Sequence, residues 1–178
     1  MATASGTFST YPSLLTYRIT ADEVGTDEPN NRSLVLVRAY IDFSGSSASS
    51  SGGSGSTTAG SWSRGFTSFS GGGSIEVYNS GNFYVGHNPD GSGSYSFNGS
   101  ASMSGWGSAS TGTGTLALSD FTRTPGAPAS CTVSVSGRNA TVTSGLADVT
   151  DKPAITSYQV ERTNNDGSTW SGTVLTMD

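Results

Sequence analysis

The chain has 178 residues, 33% apolar and 12% charged, and Ser, Thr and Gly together supply about 46% of it. Those three residues are poor helix formers and no leucine-rich run compensates, so helix-rich folds are excluded. The 10% of aromatic residues sit in alternating apolar runs, which excludes simple disorder. Eight basic residues, scattered singly, stand against thirteen acidic ones. That balance removes nucleic acid and anionic membrane surfaces as expected partners.

In chain order, residues 14–20 (LLTYRIT) alternate Leu15, Tyr17 and Ile19 against Thr16 and Arg18, which predicts a half-buried strand closed by the turn-rich 25–31. Residues 34–43 (LVLVRAYIDF) predict a second strand, apolar on both faces at its start and therefore inside the fold. The low-complexity stretch 44–61 reads as a flexible surface loop. Short strands follow at 61–69, 74–79, 82–88, 94–104 and 114–122, separated by GGG, NSG, NPDG and WGSASTGTG. That spacing suggests a sandwich or barrel, with Asn88-Pro89-Asp90-Gly91 as a tight hairpin connection. Thr124-Pro125-Gly126-Ala127-Pro128 marks a domain boundary. Beyond it two alternating strands join at Gly137, and a hairpin turns around Asn164-Asn165-Asp166-Gly167.

Catalytic chemistry finds little support. His87 is the only histidine, no Gly-x-Ser-x-Gly elbow exists, and a hairpin-positioning role accounts for it. The acidic residues group in turns, Asp22, Glu23, Asp27 and Glu28 at one end and Asp148 and Asp151 at another. Asp42, Glu76 and Glu161 fall on predicted strands in outward slots. Asn88-x-Asp90-Gly91 and 164–167 share fragments with calcium loops but do not continue to the bidentate Glu such a loop needs. No metal and no cofactor are expected, and the chain is read as not an enzyme. The single cysteine, Cys131, excludes an intrachain disulfide and reads as a buried small hydrophobe. Trp62, Trp106, Tyr78 and Tyr84 flank loops and are the candidates for stacking on sugar rings. No window approaches a membrane span, and the amino terminus lacks a signal-peptide pattern, so synthesis in a cytoplasm is expected.

Two stretches go further. HNPDGSGSYSFNGSASMSG (87–105) followed by TGTGTLALSDFTRTP (111–125) resembles a domain of minor structural proteins in the tails of long-tailed bacteriophages. The residues that carry the likeness are the turn His87, Asn88, Asp90 and Gly91, then Leu116, Leu118 and Arg123. The amino-terminal half is similar too, through Asn30-Asn31-Arg32-Ser33 and Trp62-Ser63, so the resemblance spans about 12–125. Residues 125–178 are similar to the first half of a fibronectin type III domain, on Ala154–Val160 and Asp166–Trp170, although the tryptophan usual in that family's second strand is absent.

The resemblance implies an all-β chain, with a jelly-roll-like β-sandwich at 1–124 and an incomplete fibronectin III/Ig-like β-sandwich at 125–178. It implies a non-catalytic virion structural protein, a minor tail or tail-tip component made in the bacterial host cytoplasm. Such a protein acts in tail assembly and in attachment to the host surface. Its partners would be other tail or virion proteins and further copies of itself in a homo-oligomer, with host cell-surface polysaccharide in addition. No nucleic acid and no membrane insertion are expected. The alternatives are a carbohydrate-binding module for a host glycan, and a capsid decoration or head-fibre protein.

Overall fold

The computed structural model describes residues 1–45, 47–70, 72–122, 130–136, 139–145, 157–163 and 170–176. The chain forms two compact units, one of Met1–His87 with Ser92–Asp120 and one of Asn88–Gly91 with Phe121–Asp178. The described residues form strands and turns with one short 3-10 turn, as the all-β expectation required.

The first unit contains β1 (Ala2–Thr7), β2 (Leu15–Asp27), the 3-10 turn Glu28–Asn30, β3 (Arg32–Phe43), β4 (Ser47–Ala48), β5 (Gly53–Thr57) and β6 (Gly60–Arg64). It continues with β7 (Phe69–Ser70), β8 (Gly73–Gly86), β9 (Ser94–Phe97), β10 (Gly99–Met103), β11 (Gly107–Ser110) and β12 (Gly114–Ala117). One antiparallel sheet has the order β1-β2-β3-β8 and a second the order β11-β10-β5-β6, with the pairs β9–β12 and β4–β7 beside them. Successive strands β1, β2 and β3 stay in one sheet, so their connection is a meander rather than the sheet-to-sheet alternation of a jelly roll.

The core joins the two sheets and is asymmetric in side-chain size. β2 points Leu15, Tyr17, Ile19 and Ala21 inward, and β3 points Val35, Val37, Ala39 and Ile41 inward, each essentially without solvent exposure. The second sheet answers with Gly55, Gly99, Ala101 and Ala109, with Trp62 and Met103 filling the remaining volume. Large residues on one sheet against small residues on the other let the layers interdigitate at interior density. β3 lies between β2 and β8, as its doubly apolar start predicted.

The structure differs from the expected elements in several places. First, the stretch 44–61 is not simply a flexible loop, because it contains β5 and the start of β6. Its low complexity conceals a period of two: Gly53, Gly55 and Thr57 are half-buried while Ser54 and Ser56 are exposed. Glycine is the inward residue because neighbouring rings occupy the space that a side chain would need.

Second, Asn79-Ser80-Gly81 is not a turn between two strands; it is a bulge inside one long strand, β8. Pairing passes from Leu36↔Asn82 to Arg38↔Asn79, so Ser80 and Gly81 together oppose Val37. Gly81 takes φ +65°, and the Ser80 hydroxyl accepts the Val37 backbone N–H at 2.9 Å in place of the lost ladder bond.

Third, residues 88–91 do form a tight turn, with Gly91 N–H donating to Asn88 O at 2.9 Å, yet they do not close a hairpin. β8 belongs to the first sheet, whereas β9 pairs with β12. Likewise the strand expected at 94–104 divides at Asn98 into β9 and β10, which serve different sheets.

Fourth, Cys131 is exposed rather than buried. In the second unit β13 (Cys131–Ser136) pairs with β14 (Asn139–Ser144), and β15 (Ser157–Thr163) pairs with β16 (Trp170–Thr176). Val133 and Val142 face each other across the first hairpin at 62% and 40% exposure, so alternation there marks a strand without marking a covered face. The connecting residues 137–138 and 164–169 lie outside the described residues.

Candidate functional site

His87 sits just past β8, in a polar cap that closes one end of the core. A bulge at Val24 shifts the β2–β3 register between Glu23 and Gly25 and leaves Glu23 beside the inward-facing Ser33. The fully buried Ser33 hydroxyl donates to Glu23 Oε1 at 2.5 Å and lies 2.8 Å from His87 Nε2. Glu23 Oε2 accepts the Ser119 hydroxyl at 2.6 Å and its backbone N–H at 3.0 Å. Asn31 brackets the histidine, accepting the His87 N–H on its carbonyl at 2.9 Å and donating Nδ2 to His87 O at 3.3 Å. Burial pushes the Glu23 carboxyl up. The Ser119 and Ser33 hydroxyls, the Ser119 N–H and the charge of His87 together outweigh that and hold it below the usual glutamate range.

This chain of contacts has the wrong order for nucleophilic catalysis. A hydrolytic triad places the histidine between acid and serine, so that the imidazole takes the serine proton. Here the serine stands between acid and histidine and gives its only proton to the carboxylate. His87 Nε2 must therefore donate to Ser33 Oγ, and no substrate reaches a hydroxyl with 0% exposure. The arrangement ties β2, β3, the end of β8 and the segment after β12 together. Glu23 lies on β2 and not in a turn, and the sequence signal for that is the strand alternation that continues through Ala21 into it.

Asp42, an outward acid, is held in an ion pair. Arg18 donates Nε to Asp42 at 2.6 Å and Nη2 at 3.0 Å while lying 4.4 Å over the Tyr40 ring. Burial raises the Asp42 carboxyl, and the hydrogen bonds from Arg18 and Ser74 lower it further than burial raises it. Among the described residues no three His, Cys, Asp or Glu side chains gather as a cation site would need.

The four aromatic candidates do not converge. Trp62 is buried against Tyr17, with 6.4 Å between ring centroids, which closes its faces to a sugar and corrects its reading as a contact residue. Tyr78 is half-buried and donates its hydroxyl to Ala59 O at 2.6 Å. Tyr84 is 52% exposed, but the Arg32 guanidinium covers one face at 3.7 Å. Trp106 donates Nε1 to Ser49 O at 3.1 Å and meets Tyr11 edge to face at 5.0 Å.

Two surface features were not foreseen. The strands of the second sheet read GSGST, GSWSR, GSASM and GSAS, each with Gly-Ser-x-Ser at its start. Register places Ser108, Ser102, Ser54 and Ser63 in one row, and Ser110, Ser100, Ser56 and Ser61 in the next. All eight are exposed. The rows form a lattice of hydroxyls about 4.8 Å apart across strands and about 6.8 Å apart along them, with no charged side chain among the eight.

The second feature is an open groove of about 530 Å³ lined by Ser49, Ser50, Ser51, Phe66, Thr67 and Ser104. A smaller opening of about 240 Å³ shares Ser49 with it and adds Ala48, Ser68 and Phe69. Ser50 is buried, and its hydroxyl lies 3.1 Å from both the Gly52 and Ser104 carbonyls, which fixes the groove wall.

No family model, curated protein or solved structure matches this chain.

Proposed function

We propose that this chain is a non-catalytic virion building block of a long-tailed bacteriophage. It is a minor tail or tail-tip protein that works by assembling with further copies and with neighbouring tail proteins. The single observation that supports assembly is the serine lattice on the outer face of the second sheet. In a chain of net charge −5, copies repel at most surfaces, and an uncharged face lowers that cost on close approach. Hydroxyls both donate and accept, so the face satisfies any polar neighbour, including itself. The likeness of residues 12–125 to phage tail domains supplies the setting: synthesis in the host cytoplasm and a place in the virion. On that reading the second unit is a fibronectin-like companion module.

The test is the double variant Ser100→Lys/Ser102→Lys, which places two cations mid-lattice without entering the core. The reading expects a discrete oligomer for the native chain and a monomer of unchanged circular dichroism for the variant. An oligomer that survives both lysines removes the lattice as the assembly surface.

A further inference from the structure

We propose that the groove at Ser49 is a binding site for a neutral glycan, independent of the assembly face. Three properties of the groove select that chemistry. None of the described residues that line it is charged, and Arg64, 6.0 Å from the Phe66 ring centroid, is held on the Glu76 carbonyl oxygen, which disfavours phosphorylated, sulfated or uronic-acid ligands and charged peptides. The walls carry hydroxyls at short intervals, from Ser49, Ser51, Thr67 and Ser104, each able to donate and accept as a sugar hydroxyl does. The aromatic surface open to a ligand is at the rim, where the exposed Tyr11 ring stands against Trp106, whose indole N–H donates to Ser49 O, and the C–H faces of pyranose rings pack on such surfaces. Phe66, which is buried, and Phe69, stacked on Phe43 at 4.0 Å, form the groove floor.

The site is also built to hold its shape. Ser50 is pinned to Gly52 and Ser104, and Ser104 N–H donates to Gly52 O at 3.1 Å, locking the wall to the end of β10. Trp106 anchors Ser49 through its indole N–H, and the 48%-exposed Tyr11 stands against Trp106 at that rim. A preorganised wall keeps its hydroxyls in place without an ordering cost on binding. The volume falls within the roughly 300–1,000 Å³ of small-molecule sites, and the open form suits a chain passing through rather than an enclosed monosaccharide.

The experiment titrates the full chain with cellohexaose, maltohexaose and tetra-N-acetylchitotetraose, and with an oligogalacturonate as the charged comparison. Saturation-transfer NMR and tryptophan fluorescence are the readouts. At least one neutral oligosaccharide is expected to bind saturably, with the oligogalacturonate binding at least tenfold more weakly. Thr67→Asp, an exposed change that puts a charge on the lining, is expected to weaken the neutral ligand at least tenfold, and Tyr11→Ala to weaken it several-fold. Circular dichroism of both variants should match the native chain. Absence of saturable binding to all three neutral probes overturns the proposal. So does equal affinity for the charged probe, or binding untouched by both variants. The lysine pair of the assembly test lies on the serine lattice and does not line the groove, so failure of one proposal leaves the other standing.

Discussion

Gly55 faces Trp62 directly across the β5–β6 ladder, and a Cβ at position 55 would stand 2.6 Å from the indole ring and 2.3 Å from the Ser100 carbonyl oxygen. Glycine is thus the residue that lets a tryptophan lie flat under a strand of otherwise small residues. Gly55→Ala is expected to cost about 1–3 kcal/mol through overpacking. The neighbouring outward change Ser56→Ala should stay within about 0.5 kcal/mol. Urea unfolding of the two variants checks this, and equal effects would contradict the inward role of the glycine.

That pair also shows why the second sheet was hard to read. β5 alternates Gly with Ser, two residue types that normally signal loops, so its period of two carries no apolar–polar contrast. β1 shows the same weak contrast, with Ala2, Ala4 and Gly6 alternating with Thr3, Ser5 and Thr7. β2 and β3 were legible because their inward residues are large. The bulge at Ser80 and Gly81 was misread because Asn-Ser-Gly satisfies a turn and a bulge equally, and only the long partner strand β3 decides between them. The groove brings together segments near residues 50, 67 and 104, a proximity that local patterns do not encode.

Ser33→Ala removes the hydroxyl that joins Glu23 to His87. With both partners left short of a hydrogen bond in a buried site, the expected loss is about 1–3 kcal/mol at neutral pH. The acid limb should change as well. Glu23 is depressed in the folded chain, so it stabilises above the unfolded glutamate value, and that contribution disappears as pH falls through the lower folded value. Thermal unfolding from pH 7 down to pH 3 should therefore show a shallower acid decline for Ser33→Ala than for the native chain. An unchanged slope would mean that the serine does not hold the carboxylate.

Ser80→Ala tests the bulge. The Val37 N–H would lose its acceptor beneath the middle of the first sheet, at an expected cost of about 1–3 kcal/mol. Amide hydrogen exchange at Val37 should accelerate more than at Val35 on the same strand. Exchange that stays equal at both positions would show that the hydroxyl is not the acceptor.

Among the described residues the buried Tyr17 hydroxyl, like Trp62 Nε1, finds no hydrogen-bond partner of good geometry. Burial raises the Tyr17 phenol above its ordinary value, and the nearby indole offsets only part of that rise. Tyr17→Phe removes the desolvated oxygen and keeps the ring, so stability should hold within about 1 kcal/mol or improve. A loss beyond about 2 kcal/mol in urea would reveal a partner for that hydroxyl.

Assembly through an uncharged sheet face underlies the proposed function. Light scattering of the purified native chain across a hundredfold concentration range tests this most directly. A discrete, concentration-stable oligomer is the predicted result. A monomer at every concentration, which also fails to join any tail protein mixed with it, would rule out assembly as the function of this face.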